Sequence, residues 1–209
     1  MAFLTFEGIE GCGKTTQARR LAKAIGPSAL LTFEPGDTDL GRGIRALLLD
    51  VTTRNMTAEA EVLLFFADRA QHVAEVIRPG LAAGRVVISD RYVDCSLAYQ
   101  GYGRGIDLGL IHTLAHAATG GLVPDLTLFV DVPVEVGLAR VGKRGQAHDR
   151  LEAEVREFHE KVREGYRALA AAEPSRWVTV DGTADADEVE RKIAAAVAER
   201  GILAAHGVR

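Results

Sequence analysis

A phosphate-binding loop near the N-terminus is the feature that most constrains this chain. Residues 8–15 read Gly-Ile-Glu-Gly-Cys-Gly-Lys-Thr, which has the spacing GxxxxGK[ST]. An apolar, β-prone run at 2–6 precedes the loop, and a run with helical spacing at 16–25 follows it. Such a strand–loop–helix unit points backbone N–H groups and a helix N-terminus at phosphate oxygens. The sequence therefore predicts a nucleotide-binding α/β protein.

The loop residues have distinct expected roles. Lys14 supplies a charge for the β- and γ-phosphates of ATP, and the Thr15 hydroxyl is an expected Mg²⁺ ligand. Asp90 ends the apolar run 86–89 and is the second expected metal ligand, because phosphate-loop enzymes place such a carboxylate beside the nucleotide. The other ATP-binding residues expected in the loop are Glu10, Gly11, Cys12, Gly13 and Thr16.

Short strand-like runs alternate with longer helical runs along the chain. Strands are expected at 2–6, 29–33, 86–89, 126–130 and 177–180, and helices at 14–25, 40–49, 58–81, 108–119, 134–141, 151–171 and 187–200. This alternation predicts an α/β fold with a doubly wound five-stranded parallel sheet, in one domain spanning residues 1–209. A polar, glycine-containing segment at about 141–150 is expected to be a mobile lid, with a plain surface loop as the alternative.

Composition argues against several classes of protein. The formal net charge is −4, so no basic surface indicates a nucleic-acid partner. No apolar run reaches membrane-span length and no signal peptide is evident, so we expect a cytoplasmic protein without a membrane partner. His112 and His116 stand four residues apart, but two histidines without a third ligand more often pack or face solvent than bind a metal.

The same residues narrow the chemistry. The guanine-reading tetrapeptide Asn-Lys-x-Asp is absent and Asn55 is the single asparagine, which argues against a GTPase. ATP-driven motors usually need a longer chain with further domains. A short chain with a lid instead predicts a small kinase that closes over two substrates and excludes water.

Several segments resemble the thymidylate kinase family, in the bacterial form that carries catalytic cations in its lid. The resemblance rests on Glu-Gly-Ile-Glu-Gly-Cys-Gly-Lys-Thr-Thr-Gln at 7–17, Glu-Pro-Gly at 34–36, Leu-Phe-Phe-Ala-Asp-Arg-Ala at 64–70, Asp-Arg-Tyr at 90–92, and further matches at 96–101, 124–127, 131–133 and 149–152. It covers about residues 2–181 in family order. It implies a P-loop nucleoside-monophosphate-kinase-like fold, phosphoryl transfer from MgATP to dTMP, and a homodimer.

The resemblance also implies a role for each matching position on the acceptor side. Phe65 would stack on thymine, Arg69 would bond a thymine carbonyl, and Ser96 and Gln100 would read the rest of the base edge. Tyr99 would pack near the sugar 2′ carbon and disfavour a ribose hydroxyl. From spacing alone, Phe65 and Phe66 could both be core residues, and Arg69 could belong to a helix-surface pair with Asp68.

The remaining implied roles concern the sugar and the phosphates. Glu10 would lie near the sugar 3′-hydroxyl, Arg45 and Arg91 would grip the acceptor phosphate, and Glu34 would lie nearby. Lys14, Arg91, Arg144 and Arg150 form the expected catalytic set. Some members of the family place an arginine in the phosphate-binding loop, but positions 9, 10 and 12 carry none here, so Arg144 or Arg150 is expected to supply that charge from the lid. Lys143 is a weaker candidate, since an ammonium cannot fork across two oxygens. Arg140 could stack on adenine.

Two positions depart from the family pattern. Phe33 stands where the family usually has arginine, and Asp37 stands where it usually has glycine. The first change removes a cation near the acceptor phosphate, which Arg42 or Arg45 could replace. Two alternatives to a thymidylate kinase therefore stay open at this point: another nucleoside monophosphate or deoxynucleoside kinase, and a nucleotide-binding regulator without turnover.

Overall fold

The chain folds around a parallel sheet with the phosphate-binding loop at its centre. The structure is a computed structural model that describes residues 2–53, 55–143, 145 and 149–202 of the 209-residue chain. Within these residues five parallel strands run in the order β2-β3-β1-β4-β5. They are β1 (Ala2–Glu7), β2 (Ala29–Phe33), β3 (Val86–Asp90), β4 (Leu126–Asp131) and β5 (Trp177–Asp181). The predicted five-stranded parallel sheet is confirmed.

Helices connect the strands. The described helices are α1 (Lys14–Ile25), α2 (Asp39–Leu49), α3 (Ala58–His72), α4 (Arg78–Ala82), α5 (Val93–Ser96), α6 (Leu108–Thr119), α7 (Val134–Gly142), α8 (Arg156–Ala172) and α9 (Ala186–Glu199). A π-helical turn at Val73–Ile77 joins α3 to α4, and a second one at Leu97–Gly103 continues α5. None of the helices in the described part of the chain is long and apolar enough to cross a membrane.

Successive residues of β1 supply two separate apolar clusters. Leu4 and Phe6 belong to the larger cluster, which includes Leu21 of α1. Phe3 belongs to a second cluster, in which its ring meets Tyr92 edge-on at 4.9 Å between centroids. Because neighbouring residues of a strand point to opposite faces, the sheet is buried on both sides, as a doubly wound arrangement requires.

Three stretches differ from the helices expected from the sequence. The helix expected at 58–81 contains a π-helical turn and continues to Ala82, because Pro79 lies in the first turn of α4, where its missing N–H costs little. The helix expected from residue 151 begins only at Arg156, since the Asp149 carboxylate accepts the N–H groups of Leu151 and Glu152 and holds a turn there. The helical stretch 93–103 was not expected.

Candidate active site

A cavity of about 530 Å³ opens at the carboxyl ends of the central strands. The phosphate-binding loop, the ends of β2 and β3, Phe65 of α3 and residues 149, 151 and 152 contribute to its wall. Its lining includes Glu10, Lys14, Thr15, Phe33, Glu34, Asp37, Arg45, Phe65, Asp90, Arg91, Cys95, Tyr99, Asp149 and Leu151. The carboxyl ends of parallel strands are where α/β proteins bind ligands, so the cavity lies where a ligand site is expected in this fold.

The phosphate-binding loop is closed by contacts that only glycine permits. A Cβ on Gly8 would lie 2.6 Å from the Val130 carbonyl oxygen, and one on Gly11 would lie 2.1 Å from the Gly137 carbonyl oxygen. Gly13 has φ of 101° and leads into α1. Lys14 is buried, with Nζ donating to the Ile9 carbonyl at 3.3 Å. These contacts fix the path of the loop backbone.

The expected metal ligands lie together. The Thr15 hydroxyl donates to Asp90 Oδ2, and Asp90 Oδ1 is buried without a hydrogen-bond partner among the described residues. Hydroxyl and carboxylate oxygens are the donors that Mg²⁺ prefers, so this pair fits that ion. No cluster of three or more His, Cys, Asp or Glu side chains suited to a metal occurs in the described part of the chain. Thr16, which follows Thr15 in the chain and was also expected to bind ATP, is exposed.

Arg91 is the centre of a second polar group. Its φ of 76° is unusual for a residue other than glycine, and such strain often marks a functional position. Nη2 of Arg91 donates to Glu10 Oε1 at 2.8 Å and to Tyr99 Oη at 3.1 Å. Burial alone would raise the pKa of Glu10. The charge of Arg91 and the hydrogen bonds that the Glu10 carboxylate accepts hold that pKa well below its usual range. Glu10 therefore stays ionised.

Tyr99 connects this group to the cavity wall. Its hydroxyl donates to both carboxylate oxygens of Glu10 at 2.6 Å, and the residue lines the cavity. A tyrosine held in this way is a fixed wall rather than a mobile side chain. Phe65 lines the cavity as well, while its neighbour Phe66 is a core residue of another cluster. From spacing alone, both phenylalanines could have been core residues. The structure gives them different surroundings, because Phe65 lines the cavity and Phe66 packs in an apolar cluster.

Arg69 is buried, at 1% exposure, and each of its three guanidinium nitrogens donates one hydrogen bond to the protein. Nε donates to Glu34 Oε2 at 2.7 Å, Nη1 to Ser96 Oγ at 3.0 Å, and Nη2 to the Tyr92 carbonyl at 2.8 Å. The family resemblance implied a position near the acceptor phosphate for Glu34, which stays a prediction. In the structure Glu34 is the counter-ion that anchors Arg69.

Gln100 also has a buried acidic partner. Its Nε2 donates to Glu61 Oε1 at 2.8 Å, and its Oε1 has no hydrogen-bond partner among the described residues. Glu61 is buried at 1% exposure and binds Arg104 at 3.2 Å and Arg150 at 2.7 Å through Oε2. Sequence reasoning missed Glu61. The available signal was an acidic residue one helical turn before Phe65 in an otherwise apolar stretch.

The two departures from the family pattern have definite partners. The Phe33 ring lies under the Arg45 guanidinium, 5.8 Å from Cζ to the ring centroid, and Arg45 Nη1 donates to the Pro35 carbonyl at 2.6 Å. Asp37 accepts a hydrogen bond from the Thr32 hydroxyl, which also lies 2.5 Å from His72 Nε2. Arg45 is therefore held next to Phe33, on the wall of the cavity.

The lid cations fall into two groups. Arg144 lies outside the described residues, as do 146–148 of the expected lid. Arg150 is described, and its Nε donates to the Leu48 carbonyl at 2.7 Å while Nη1 pairs with Glu61. Asp149 and Leu151, on either side of Arg150, line the cavity, but Arg150 does not. In this conformation its guanidinium binds the protein, and its catalytic role stays a prediction.

Arg140 lies beside the phosphate-binding loop. Its Nη1 donates to the Gly182 carbonyl at 2.9 Å and to the Gly11 carbonyl at 3.5 Å. The guanidinium is thus held between the loop and the residue after β5. This is a position from which a planar cation can meet a nucleotide base bound at the loop.

Known proteins of one family match the chain over most of its length. Residues 6–193 match the family model described as thymidylate kinase. A thymidylate kinase from Desulfovibrio desulfuricans is 53% identical over 196 residues, which cover 90% of this chain and 90% of that relative. One from Geotalea uraniireducens is 48% identical over 206 residues, covering 95% of this chain and 97% of that relative.

A solved structure agrees with the sequence relatives. The crystal structure of thymidylate kinase from Ehrlichia chaffeensis matches with a TM-score of 0.77 and 31% sequence identity. The match covers 94% of this chain and 98% of that one.

Proposed function

The chain belongs to the thymidylate kinase family, and we propose that it transfers the γ-phosphoryl group of MgATP to dTMP, giving dTDP and ADP. The observation that carries the proposal is a single cavity whose wall combines the phosphate-binding loop with Phe65, Arg91 and Tyr99. Donor phosphates and a nucleotide acceptor would therefore meet in one cavity. The roles of individual residues given below are part of the same proposal.

At the donor end, the loop backbone and Lys14 bind the ATP phosphates, and Arg140 faces the adenine. Thr15 and Asp90 would hold Mg²⁺, which supplies positive charge to the phosphate oxygens when it is bound. The oxygen donors of these two side chains and the unpartnered Asp90 Oδ1 support this assignment. Arg144 would add a cation from the lid.

The transfer itself needs little covalent help from the protein. The acceptor is a phosphate monoester that is largely ionised near neutral pH, so no strong general base is required. Catalysis is then mainly positioning and charge neutralisation. Arg91 and Arg45 grip the acceptor phosphate from two sides, and Glu10 orients Arg91 through the 2.8 Å ion pair. Glu10 and Tyr99 together form the wall against which the sugar lies.

At the base end, Phe65 stacks on the pyrimidine while Arg69, Ser96 and Gln100 read its polar edge. The buried contact between Arg69 and Ser96 supports a preformed reading surface, since neither group must be ordered by the ligand. Tyr99 disfavours a ribose 2′-hydroxyl because its ring is held in place: its hydroxyl donates to the Glu10 carboxylate at 2.6 Å and accepts from Arg91 Nη2 at 3.1 Å.

A homodimer is the assembly that best accounts for one outer face of the fold. Helices α3 and α6 pack side by side and expose Leu63, at 54%, and Leu110, at 45%. Exposed leucines on adjacent helices suit a self-complementary interface. Sedimentation of the purified chain tests this: Leu63→Glu should produce a monomer.

Turnover measurements test the substrate assignment. A coupled ADP-release assay across dTMP, dUMP, UMP, CMP and thymidine should show dTMP as the best acceptor, favoured over UMP by several orders of magnitude in kcat/KM. The methyl contact that separates dTMP from dUMP accounts for only about 1–3 kcal/mol. Equal use of UMP and dTMP would contradict both the role of Tyr99 and the substrate assignment. Binding of ATP without turnover on any acceptor would favour a regulator.

A further inference from the structure

We infer that Glu61 is a positioning residue for base selection: its carboxylate holds the Gln100 amide so that the amide oxygen is presented to the N3–H of the pyrimidine. The inference rests on the proposed function, which places the base against Phe65. Glu61 itself does not touch the substrate. It acts through the 2.8 Å hydrogen bond that it accepts from Gln100 Nε2.

The geometry consists of two cross-links between the same pair of helical segments. Glu61, Phe65 and Arg69 are spaced one turn apart along α3, and therefore share a face. Ser96 and Gln100 are similarly spaced on the opposite segment. The contacts Arg69–Ser96 at 3.0 Å and Glu61–Gln100 at 2.8 Å thus lie on either side of Phe65, which lines the cavity.

The chemistry of Glu61 dictates which way the Gln100 amide points. An ionised carboxylate only accepts hydrogen bonds, so the amide nitrogen must face it and the amide oxygen must face away. Burial alone would raise the pKa of Glu61, but the hydrogen bonds from Gln100 and Arg104 and the charges of Arg104 and Arg150 lower it. Glu61 is therefore ionised throughout the neutral range.

The amide oxygen of Gln100 lacks a donor. It is buried, and none of the described residues bonds to it. A buried acceptor in this state is costly unless a ligand satisfies it. Thymine and uracil carry a hydrogen on N3, whereas N3 of cytosine is an acceptor that would face the amide oxygen repulsively. The fixed amide therefore selects keto pyrimidines, in agreement with the donors that Arg69 offers to a carbonyl.

The test compares two acceptors that differ only at this edge. dTMP and 5-methyl-dCMP share the methyl group, sugar and phosphate, and differ at N3 and at C4. Glu61→Gln keeps the shape of the side chain but can present either an amide nitrogen or an amide oxygen to Gln100. The Gln100 amide is then free to flip, exchanging the positions of its nitrogen and oxygen. We expect the ratio of kcat/KM for dTMP to that for 5-methyl-dCMP to fall by about tenfold or more. With dTMP as the acceptor, the fall in kcat/KM should come mainly from a higher KM.

The matched control is Glu154→Gln. Glu154 also pairs with Arg104, at 2.6 Å, yet the structure gives it no contact with Gln100. This variant removes a carboxylate from the same arginine and should leave the substrate ratio unchanged. If Glu61→Gln and Glu154→Gln both keep the wild-type ratio, the inference is wrong.

A double-mutant comparison checks that Glu61 acts through Gln100. In a Gln100→Met background there is no amide to orient, so adding Glu61→Gln should leave the ratio where Gln100→Met sets it. A further fall in the ratio there would overturn the proposed route. If Glu61→Gln alone does not fold, Glu61→Gln with Arg104→Gln preserves the net charge of the cluster and carries the same expectation.

Failure of this inference can be told apart from failure of the proposed function. A wild-type protein that does not phosphorylate dTMP contradicts the proposed function. A wild-type protein that does so, with a substrate ratio insensitive to Glu61, contradicts only the role of Glu61.

Discussion

The proposed donor-phosphate end of the cavity and its proposed base-binding end are built in different ways. At the donor end, one contiguous loop shapes the site, and Asp90 Oδ1 lacks a hydrogen-bond partner among the described residues. At the base end, Arg69 and Glu61 are buried and bound to groups 27 and 39 residues away in sequence, at Ser96 and Gln100. The donor end leaves a carboxylate oxygen without a partner, whereas the base end pairs its buried charges in advance and leaves an uncharged atom, the amide oxygen of Gln100, without one.

This difference separates catalytic from structural consequences. A change at the donor end removes contacts that exist only with nucleotide bound, so activity should be lost without loss of stability. A change at the base end breaks buried ion pairs, so stability should fall as well. The predictions below use this contrast, from the largest expected effect to the smallest.

Lys14→Ala should lower kcat by about 10³-fold or more, because its charge meets phosphate oxygens in a site shielded from water. The unfolding free energy should change by less than about 1 kcal/mol, since Nζ makes a long hydrogen bond, of 3.3 Å, to the Ile9 carbonyl. Steady-state kinetics and urea unfolding measure both. Lys23→Ala, an exposed lysine on the same helix, serves as the control. Near-normal turnover of Lys14→Ala would refute the role of the loop.

Arg69→Met should destabilise the fold by about 3–5 kcal/mol, because it leaves Glu34 buried without its main counter-ion. Urea unfolding at neutral pH gives the value. Arg167→Met removes a more exposed arginine that pairs with Asp131, and should cost about 1 kcal/mol or less. Similar losses for the two variants would show that the base end is no more pre-organised than the surface.

Arg144→Ala should lower kcat by roughly 10²-fold, since neighbouring cations partly replace a lid arginine.

Arg150→Ala separates two possibilities, because the structure places this guanidinium on Glu61. A loss of stability with kcat nearly intact would assign it to the base end, and a loss of kcat would place it in the lid mechanism. Should every lid variant change only the KM for ATP, catalysis by the lid would have to be abandoned.

Phe33→Arg should lower the KM for dTMP by up to about fivefold, because it restores a cation beside the acceptor phosphate and an exposed ion pair contributes up to about 1 kcal/mol. Phe33→Gln is the neutral control and should not lower this KM. An equal decrease in both variants would show that the aromatic ring, rather than the missing charge, limits dTMP binding.

Glu7→Gln should change how stability depends on pH while affecting the site least. Burial, followed by the nearby charge of Asp94, raises the pKa of Glu7 to about 8 from its ordinary 4.5. The folded protein therefore holds a proton that the unfolded chain releases, and Glu7 destabilises the wild type progressively as pH rises from about 4.5 to about 8. Relative to wild type, Glu7→Gln should gain stability across that window and level off above it. A pH-independent difference in urea midpoints would contradict this.

Local signals predicted the fold well. The five strands appear where their apolar runs indicated. Four of them extend one residue further than expected, to Glu7, Asp90, Asp131 and Asp181. The family and its activity, predicted from motifs, are confirmed by the comparisons. The helical stretch 93–103 escaped prediction because its residues are buried by packing against α8 rather than marked by a simple periodicity. The lid, the single domain and the homodimer stay predictions.

The site was predicted unevenly, and the reason is physical. Thr15 and Asp90 could be paired from the sequence, because a phosphate-binding loop and the end of a neighbouring strand meet in any sheet of this type. The binding of Arg150 to Glu61 could not, because a long side chain reaches whichever carboxylate the packing brings near. Spacing along the chain does not carry that information.

By itself, the sequence determined the phosphate-binding loop, the order of strands and helices, and the chemical class of the enzyme. Each of these depends on contiguous residues or on periodicity, which operate before distant parts of the chain meet. Only the tertiary structure decided that Glu61 faces Gln100, that Glu34 anchors Arg69, and that Arg150 lies against α3. Buried charges must find partners, and which partners are within reach depends on how the helices pack.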